Sequence, residues 1–244
     1  MRKTLIVALA ALVALALSAV AIAQTPGADL TVTAKADKKP LSKKKKKVKA
    51  VKVGLDLKNE DSSQTADGIK VFMAKQIVPS TKGLKKCSQQ VLEDSAGTDC
   101  PKGSRVGGGS ADAIAGVNTG APADLTFKID AYVIGNNKLG FYLQQEGGDI
   151  RVLSIGTFKN ASGKYGKVLD ISIPQLAREF PAGTFNGLVG LKTDLYKKAG
   201  KNALFKRTSC PKNGKIPFNL TIHFMNNPNP PKAQQVAAAD DAPC

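Results

Sequence analysis

Apolar and polar residues alternate one by one along five stretches of this chain, and a period of two leaves few folds open. Leu30, Val32 and Ala34 alternate with Thr31, Thr33 and Lys35; Val51, Val53, Leu55 and Leu57 with Lys52, Gly54, Asp56 and Lys58. The same pattern returns at Leu125 to Tyr132, at Leu169 to Ile173 and at Phe218 to Phe224. Successive side chains of a strand point to opposite faces, so each run buries one face and wets the other, as antiparallel sheets require.

Turn formers separate these runs: Gly135-Asn136-Asn137, Gly147-Gly148-Asp149, Ser162-Gly163 and Asn213-Gly214. Further strands are expected at 69–78, 104–115, 139–145, 151–159, 185–196 and 202–208. With no Trp, 5% aromatic residues and 23 glycines, the composition suits many short strands better than a helical bundle. The expected fold is all-β, an antiparallel β-sandwich over 29–225, with a β-barrel as the alternative. Helix is confined to a turn or two at Ser88 to Asp94 and at Gln175 to Glu179, the second opened by Pro174.

The N-terminus reads as an export signal. Arg2 and Lys3 precede an apolar stretch from Leu5 to Leu17, and Ala21-Ile22-Ala23 offers the small-x-small pattern of a cleavage site. Residues 1–23 are therefore expected to be removed, with 24–28 a short linker and the mature chain extracellular or in the cell envelope. No later stretch is long and apolar enough to span a bilayer. Residues 226–244, with their Asn-Pro repeats, alanines and aspartates, are expected to form a flexible tail.

Four cysteines in an exported chain point to disulfides. Cys87 and Cys100 enclose a short segment rich in turn formers, which fits a local clasp. Cys210 and Cys244 then remain, and their pairing requires the tail to fold back; a free thiol or a bridge between copies stays open, as does the oligomeric state. One histidine and scattered cysteines do not make a metal site.

Charge is the feature that rises above background. The chain has 36 Lys plus Arg against 19 Asp plus Glu, and ten of the lysines lie between Lys35 and Lys52 with Asp37 the one acid among them. Lys43, Lys44, Lys45, Lys46 and Lys47 form its centre, inside a loop over 38–47 that joins the first two strands. Such a loop attracts anionic polymers or membrane surfaces through counterion release. It contains no Arg for bidentate readout and no aromatic for base stacking, so sequence-specific nucleic-acid recognition is excluded. The alternative is a solvated, self-repelling loop that keeps edge strands soluble.

Catalytic chemistry finds little support. A Ser-His-Asp arrangement would have to use His223, the one histidine, which the alternation places on a polar strand face. Gly108-Gly109-Ser110-Ala111-Asp112 is not a nucleophile elbow, and the Ser-x-x-Lys matches at Ser42 and Ser209 lack their companion motifs. The acids Glu60, Asp61, Glu93, Asp94 and Asp99 stand in turn-like contexts. No catalytic residue, cofactor or metal is assigned, and a secreted hydrolase with an unrecognised site is the second reading.

Cys87-Ser88 followed by Cys100-Pro101-Lys102-Gly103-Ser104-Arg105-Val106-Gly107 resembles a pattern in exported actinobacterial proteins of unknown function. Thr208-Ser209-Cys210-Pro211 and Gly214-Lys215-Ile216-Pro217-Phe218 are similar to the end of such domains. The resemblance implies an exported β-rich domain with a local disulfide and brings no catalytic residues. The Lys43 to Lys47 run and Cys244 have no counterpart in it.

Overall fold

The computed structural model describes residues 27–225 and 235–244. The expected signal segment 1–23 lies outside them. Each alternating run is a strand: β1 (Ala28–Ala36), β2 (Lys49–Asn59), β6 (Ala123–Gly135), β9 (Tyr165–Ser172) and β14 (Lys215–Phe224). The remaining strands are β3 (Ala66–Ala74), β4 (Ile77–Pro79), β5 (Arg105–Ala115), β7 (Lys138–Gln145), β8 (Arg151–Asn160), β10 (Asn186–Leu195), β11 (Lys198–Ala199), β12 (Asn202–Ala203), β13 (Phe205–Arg207) and β15 (Gln235–Pro243). Two short helices, α1 (Gln89–Ser95) and α2 (Gln175–Arg178), sit where turns of helix are expected. Ser88 caps α1 by accepting from the Val91 N–H, and Pro174 precedes α2.

The fold is all-β and antiparallel. Thirteen strands form one sheet in the order β15-β14-β3-β9-β8-β7-β6-β5-β10-β2-β13-β4, with β1 on the other side of β2. The sheet curls until its inward face packs on itself, so one continuous sheet supplies both layers of the core. Phe158 of β8 and Phe205 of β13, far apart in strand order, meet edge to face with ring centres 5.9 Å apart. Leu57, Met73, Leu139, Leu169, Phe218 and Leu220, from five strands, are almost wholly shielded from solvent. The barrel alternative does not hold. β1 and β15 come side by side but share no ladder, and the Val32 N–H instead donates to Asp240 Oδ2 at 2.6 Å.

Two departures from the alternating pattern have local causes. In β7, Leu139 and Phe141 face the core while Tyr142 faces outward, and it too is buried. Outside the sheet, α1 lays Leu92 against Tyr132 and Tyr142, and the Cys87–Cys100 disulfide closes this small second core. The second departure corrects the expectation for the C-terminus. Residues 235–243 are not a flexible tail but β15, paired along its whole length with β14 from His223↔Gln235 to Lys215↔Pro243. Cys244 is neither free nor available to another copy, because it bonds Cys210 across 34 positions of sequence. In the chain-entropy description a closure of that length is worth about 4 kcal/mol. It offsets the weak apolar content of β15, which buries only Val236 and Ala242.

β5 and β10 approach closely because β5 carries Gly107-Gly108-Gly109. A Cβ on Gly109 would overlap the carbonyl oxygen of Lys192, and one on Gly107 that of Asp194. Neither obstacle is a flexible side chain, so the backbone itself would have to move. Overpacking of this kind costs about 1–3 kcal/mol. Gly109→Ala should therefore lower the melting temperature by about 3–10 °C. Gly120→Ala, where a Cβ meets nothing within 4 Å, should leave it almost unchanged. Equal melting temperatures for the two variants, measured by calorimetry, would contradict this packing.

Candidate functional site

Every main strand is antiparallel to its neighbours, so successive connections fall on alternate ends of the sheet. The registers Ala36↔Val51, Leu195↔Val53, Leu195↔Gly107 and Ala74↔Tyr165 put the segments 37–48, 75–88, 101–104, 161–164 and 196–214 at one end. These segments hold nineteen Lys and Arg and a single acid, Asp37; the stretch 89–100 between two of them, which contains α1, adds Glu93, Asp94 and Asp99 along an outer groove. The described connections at the other end, 60–65, 116–122, 146–150 and 173–185, hold Glu60, Asp61, Glu146, Asp149 and Glu179 against Arg178 alone. Read in line, the positive charge looks like one loop with a mild surplus elsewhere. Folding gathers that surplus beside the loop.

Lys43 to Lys47 are all exposed, and none of them makes an ion pair among the described residues. Their loop extends the β1–β2 hairpin: the Asp37 N–H donates to the Ala50 carbonyl and the Leu41 N–H to the Val48 carbonyl, each at 2.8 Å. Asp37 is turned away from the lysine run. It accepts from Tyr196 Oη at 3.2 Å and from Lys198 Nζ at 3.0 Å, tying the loop to the 196–214 segment. Burial, then the neighbouring Asp37 charge, raises the Tyr196 pKa, and the hydrogen bond to Asp37 raises that of Lys198. Two more segments join through backbone bonds, from the Ser80 N–H to the Leu204 carbonyl at 2.8 Å and from the Thr208 N–H to the Gln76 carbonyl at 3.0 Å. These bonds hold 37–48, 75–88 and 196–214 together at the basic end.

The other residues singled out from sequence are dispersed. His223 lies half-exposed on the outer side of β14, opposite Gly68 and Gln235, and among the described residues no carboxylate or serine is hydrogen-bonded to it. Glu93, Asp94 and Asp99 line an outer groove with Arg151, Pro174 and Leu176. Among the described residues no three His, Cys, Asp or Glu side chains gather as metal ligands, and no helix is long and apolar enough to cross a membrane.

A feature that sequence reading misses lies inside the sheet. A cavity of about 100 Å³ opens toward the acidic end, between residues of β2, β3, β5 to β10 and α2. Its wall is almost wholly apolar, with Leu55, Ile69, Phe127, Phe141 and Leu169 among the larger side chains and Ala66, Ala111, Ala113, Ala177 and Gly187 leaving the space. Unfilled, a void of this size costs about 2 kcal/mol. Linear sequence holds no signal for it, because small residues at strand positions look the same whether or not a larger one opposes them.

The segment 173–185 covers that opening. Glu179 Oε1 accepts from the Gly183 N–H at 2.6 Å and Oε2 from Gln175 Nε2 at 3.2 Å. Asn118 Nδ2 donates to the Gly183 carbonyl, and Asn118 Oδ1 accepts from the Phe185 N–H, each at 2.8 Å. Comparison with family models, with curated proteins and with solved structures finds no match for this chain.

The hydrogen bond from Gly183, then that from Gln175, lowers the Glu179 pKa. A carboxylate held low in the fold stabilises it above the unfolded pKa of about 4.3, and that contribution disappears as pH falls through the lower folded value. The Gly183 amide should lose hydrogen-exchange protection below about pH 4, while Glu179→Gln should abolish this pH dependence. Protection of Gly183 that is level from neutral pH down to about pH 3 in the parent protein would contradict the assignment.

Proposed function

We propose that this chain is a non-enzymatic, exported β-protein that rests its basic end on anionic polymer or membrane surfaces of the cell envelope. The observation that carries the reading is the segregation of charge: nineteen basic residues against one acid in the segments 37–48, 75–88, 101–104, 161–164 and 196–214 at one end, one against five in the described connections at the other, with the acids of 89–100 set along the outer groove. A surface so polarised aligns in the field of an anionic sheet or polymer, and each lysine near such a surface contributes about 1 kcal/mol. Two disulfides fit an oxidising compartment, in keeping with export. The basic side chains are mostly lysines, compact and strongly hydrated, which suits loose attachment to repeated negative charge better than recognition of one planar group. The hydrolase reading keeps less support, since it depends on His223 and, among the described residues, that side chain has no hydrogen-bonded acid or serine.

Co-sedimentation with vesicles containing anionic lipid, and with a soluble polyanion, tests the reading across a salt series. Binding should fall steeply with salt and be absent from neutral vesicles. Replacing Lys43 to Lys47 with glutamine should weaken it at least tenfold and flatten the salt dependence. Adding Lys197→Gln, Lys201→Gln and Lys212→Gln should abolish what remains. Equal binding to neutral vesicles, or full binding by the eight-fold variant, would overturn the reading.

A further inference from the structure

We infer that a pocket at the basic end, between the ends of β1 and β15, binds a doubly charged phosphate group. It is an open pocket of about 560 Å³, walled by the end of β1 and the two residues after it, by Lys49 of β2, by Arg207 of β13 and by Pro243 and Cys244. Pockets for small ligands span about 300–1,000 Å³. The inference deepens the surface-attachment reading and rests on it for the biological setting, but its residues are not those of the Lys43 to Lys47 run.

Arg207 is the most buried of the cations there, only 9% exposed, on the same strand face as Phe205, whose ring lies in the core. A guanidinium is always charged and has five N–H donors. Arg207 Nη1 donates to the Cys244 backbone oxygen at 2.6 Å, and among the described residues no Asp or Glu side chain pairs with it. Its Nε and Nη2 are not sealed off, because Arg178 Nε and Asn186 Oδ1 are the described side-chain atoms buried without a partner. Those two groups keep contact with solvent, and the pocket is the opening that Arg207 lines. A charge held this deep with no acidic side chain beside it is unfavourable unless an anion meets it.

The register adds a second cation on the same face. Arg207 and Lys49 stand directly opposite in the β13–β2 ladder. That places their Cβ atoms about 4.5–5.5 Å apart and is unfavourable for like charges. Lys35 and Lys38 border the same pocket, and among the described residues none of these three lysines makes an ion pair. Asp37 is the one acidic side chain on the wall, and it is already engaged by Tyr196 and Lys198. Even with a carboxylate counted at Cys244, four cations (Lys35, Lys38, Lys49, Arg207) meet two anions, a surplus of two. A phosphate monoester matches that surplus: above its second pKa of about 6 it carries close to −2 and presents three acceptor oxygens. A carboxylate or a phosphodiester brings a single charge and leaves half of the surplus unmet. Thr33, Ala34, Ala36 and Pro243 complete the wall, and such weakly polar sides focus the field of the cations into the pocket.

Isothermal titration calorimetry of the full chain in physiological salt, with methyl phosphate, dimethyl phosphate and acetate as probes, tests the site. At about pH 8 methyl phosphate should bind saturably, one per chain, and about tenfold more tightly than either singly charged probe. Its affinity should fall about tenfold at about pH 5, where the second proton returns to the phosphate. Lys49→Gln should weaken binding about tenfold and Arg207→Gln at least as much. Replacing Lys43 to Lys47 with glutamine should change it by less than about threefold, because salt screens charges beyond the pocket. Should Arg207→Gln not fold, Lys49→Gln and the ranking of probes decide. Vesicles of phosphatidic acid or phosphatidylglycerol, matched in surface charge, identify the source. A Lys49-dependent preference for the first places the phosphate on a lipid headgroup; no preference, with methyl phosphate still bound, places it on a soluble or polymer-borne monoester. No saturable binding of methyl phosphate, equal affinity for methyl and dimethyl phosphate, or unchanged affinity in Lys49→Gln would overturn the inference. Lost vesicle attachment with methyl phosphate binding intact would count against the surface reading and not against the pocket.

Discussion

The strictly antiparallel pairing of long strands is the constraint from which the other properties of this molecule follow. Each ladder reverses the chain, so consecutive connections must emerge at opposite ends of the sheet. Residues that are neighbours in function need not be neighbours in sequence; they need only belong to alternate turns. The segments 37–48, 75–88, 161–164 and 196–214 meet at one end for this reason, and their lysines add to a single field. The ladder also fixes which side chains face inward, so small residues on β3, β5 and β10 fall opposite one another and leave a cavity.

The two ends differ in physical character. One is wet, positive and built of exposed ammonium groups whose influence reaches about 8 Å in physiological salt. The other is mildly acidic and opens on hydrocarbon. Placing them at opposite poles of one sheet means that contact of the basic end with an anionic surface leaves the cavity entrance pointing away from it. The Cys210–Cys244 bond and the Asp37 contacts with Tyr196 and Lys198 hold the basic segments to the sheet rather than to each other alone. Stability at that end accordingly comes from covalent closure and backbone pairing more than from ion pairs, which are exposed here and worth little individually.

Much of the sheet was legible in sequence, since Val51 to Leu57 and Phe218 to Phe224 alternate without a break and the turns between them carry Gly and Asn. Ser88 and Pro174 likewise marked both helices. β15 was not legible because its buried positions are Val236 and Ala242, with Asp240 placed between them to cap the Val32 N–H. An aspartate in that place erases the apolar period that would have announced a strand. Lys43 to Lys47 were conspicuous, but their union with Lys197, Lys201 and Lys212 depends on long-range register. The signal was present in a form linear reading does not weigh: basic residues concentrated in the alternate segments 37–48, 75–88 and 196–214. Arg207 gave no signal at all, because a buried cation with no acidic side chain beside it is a property of its surroundings.

The central claim, that alternating connections build one basic pole, is tested most directly by hydrogen-exchange footprinting of the protein bound to a polyanion at low salt. The account predicts added protection in 37–48 and 196–214 together, with 116–122 and 146–150 exchanging as in the free protein. Protection confined to 43–47, or spread equally over both ends, would contradict it.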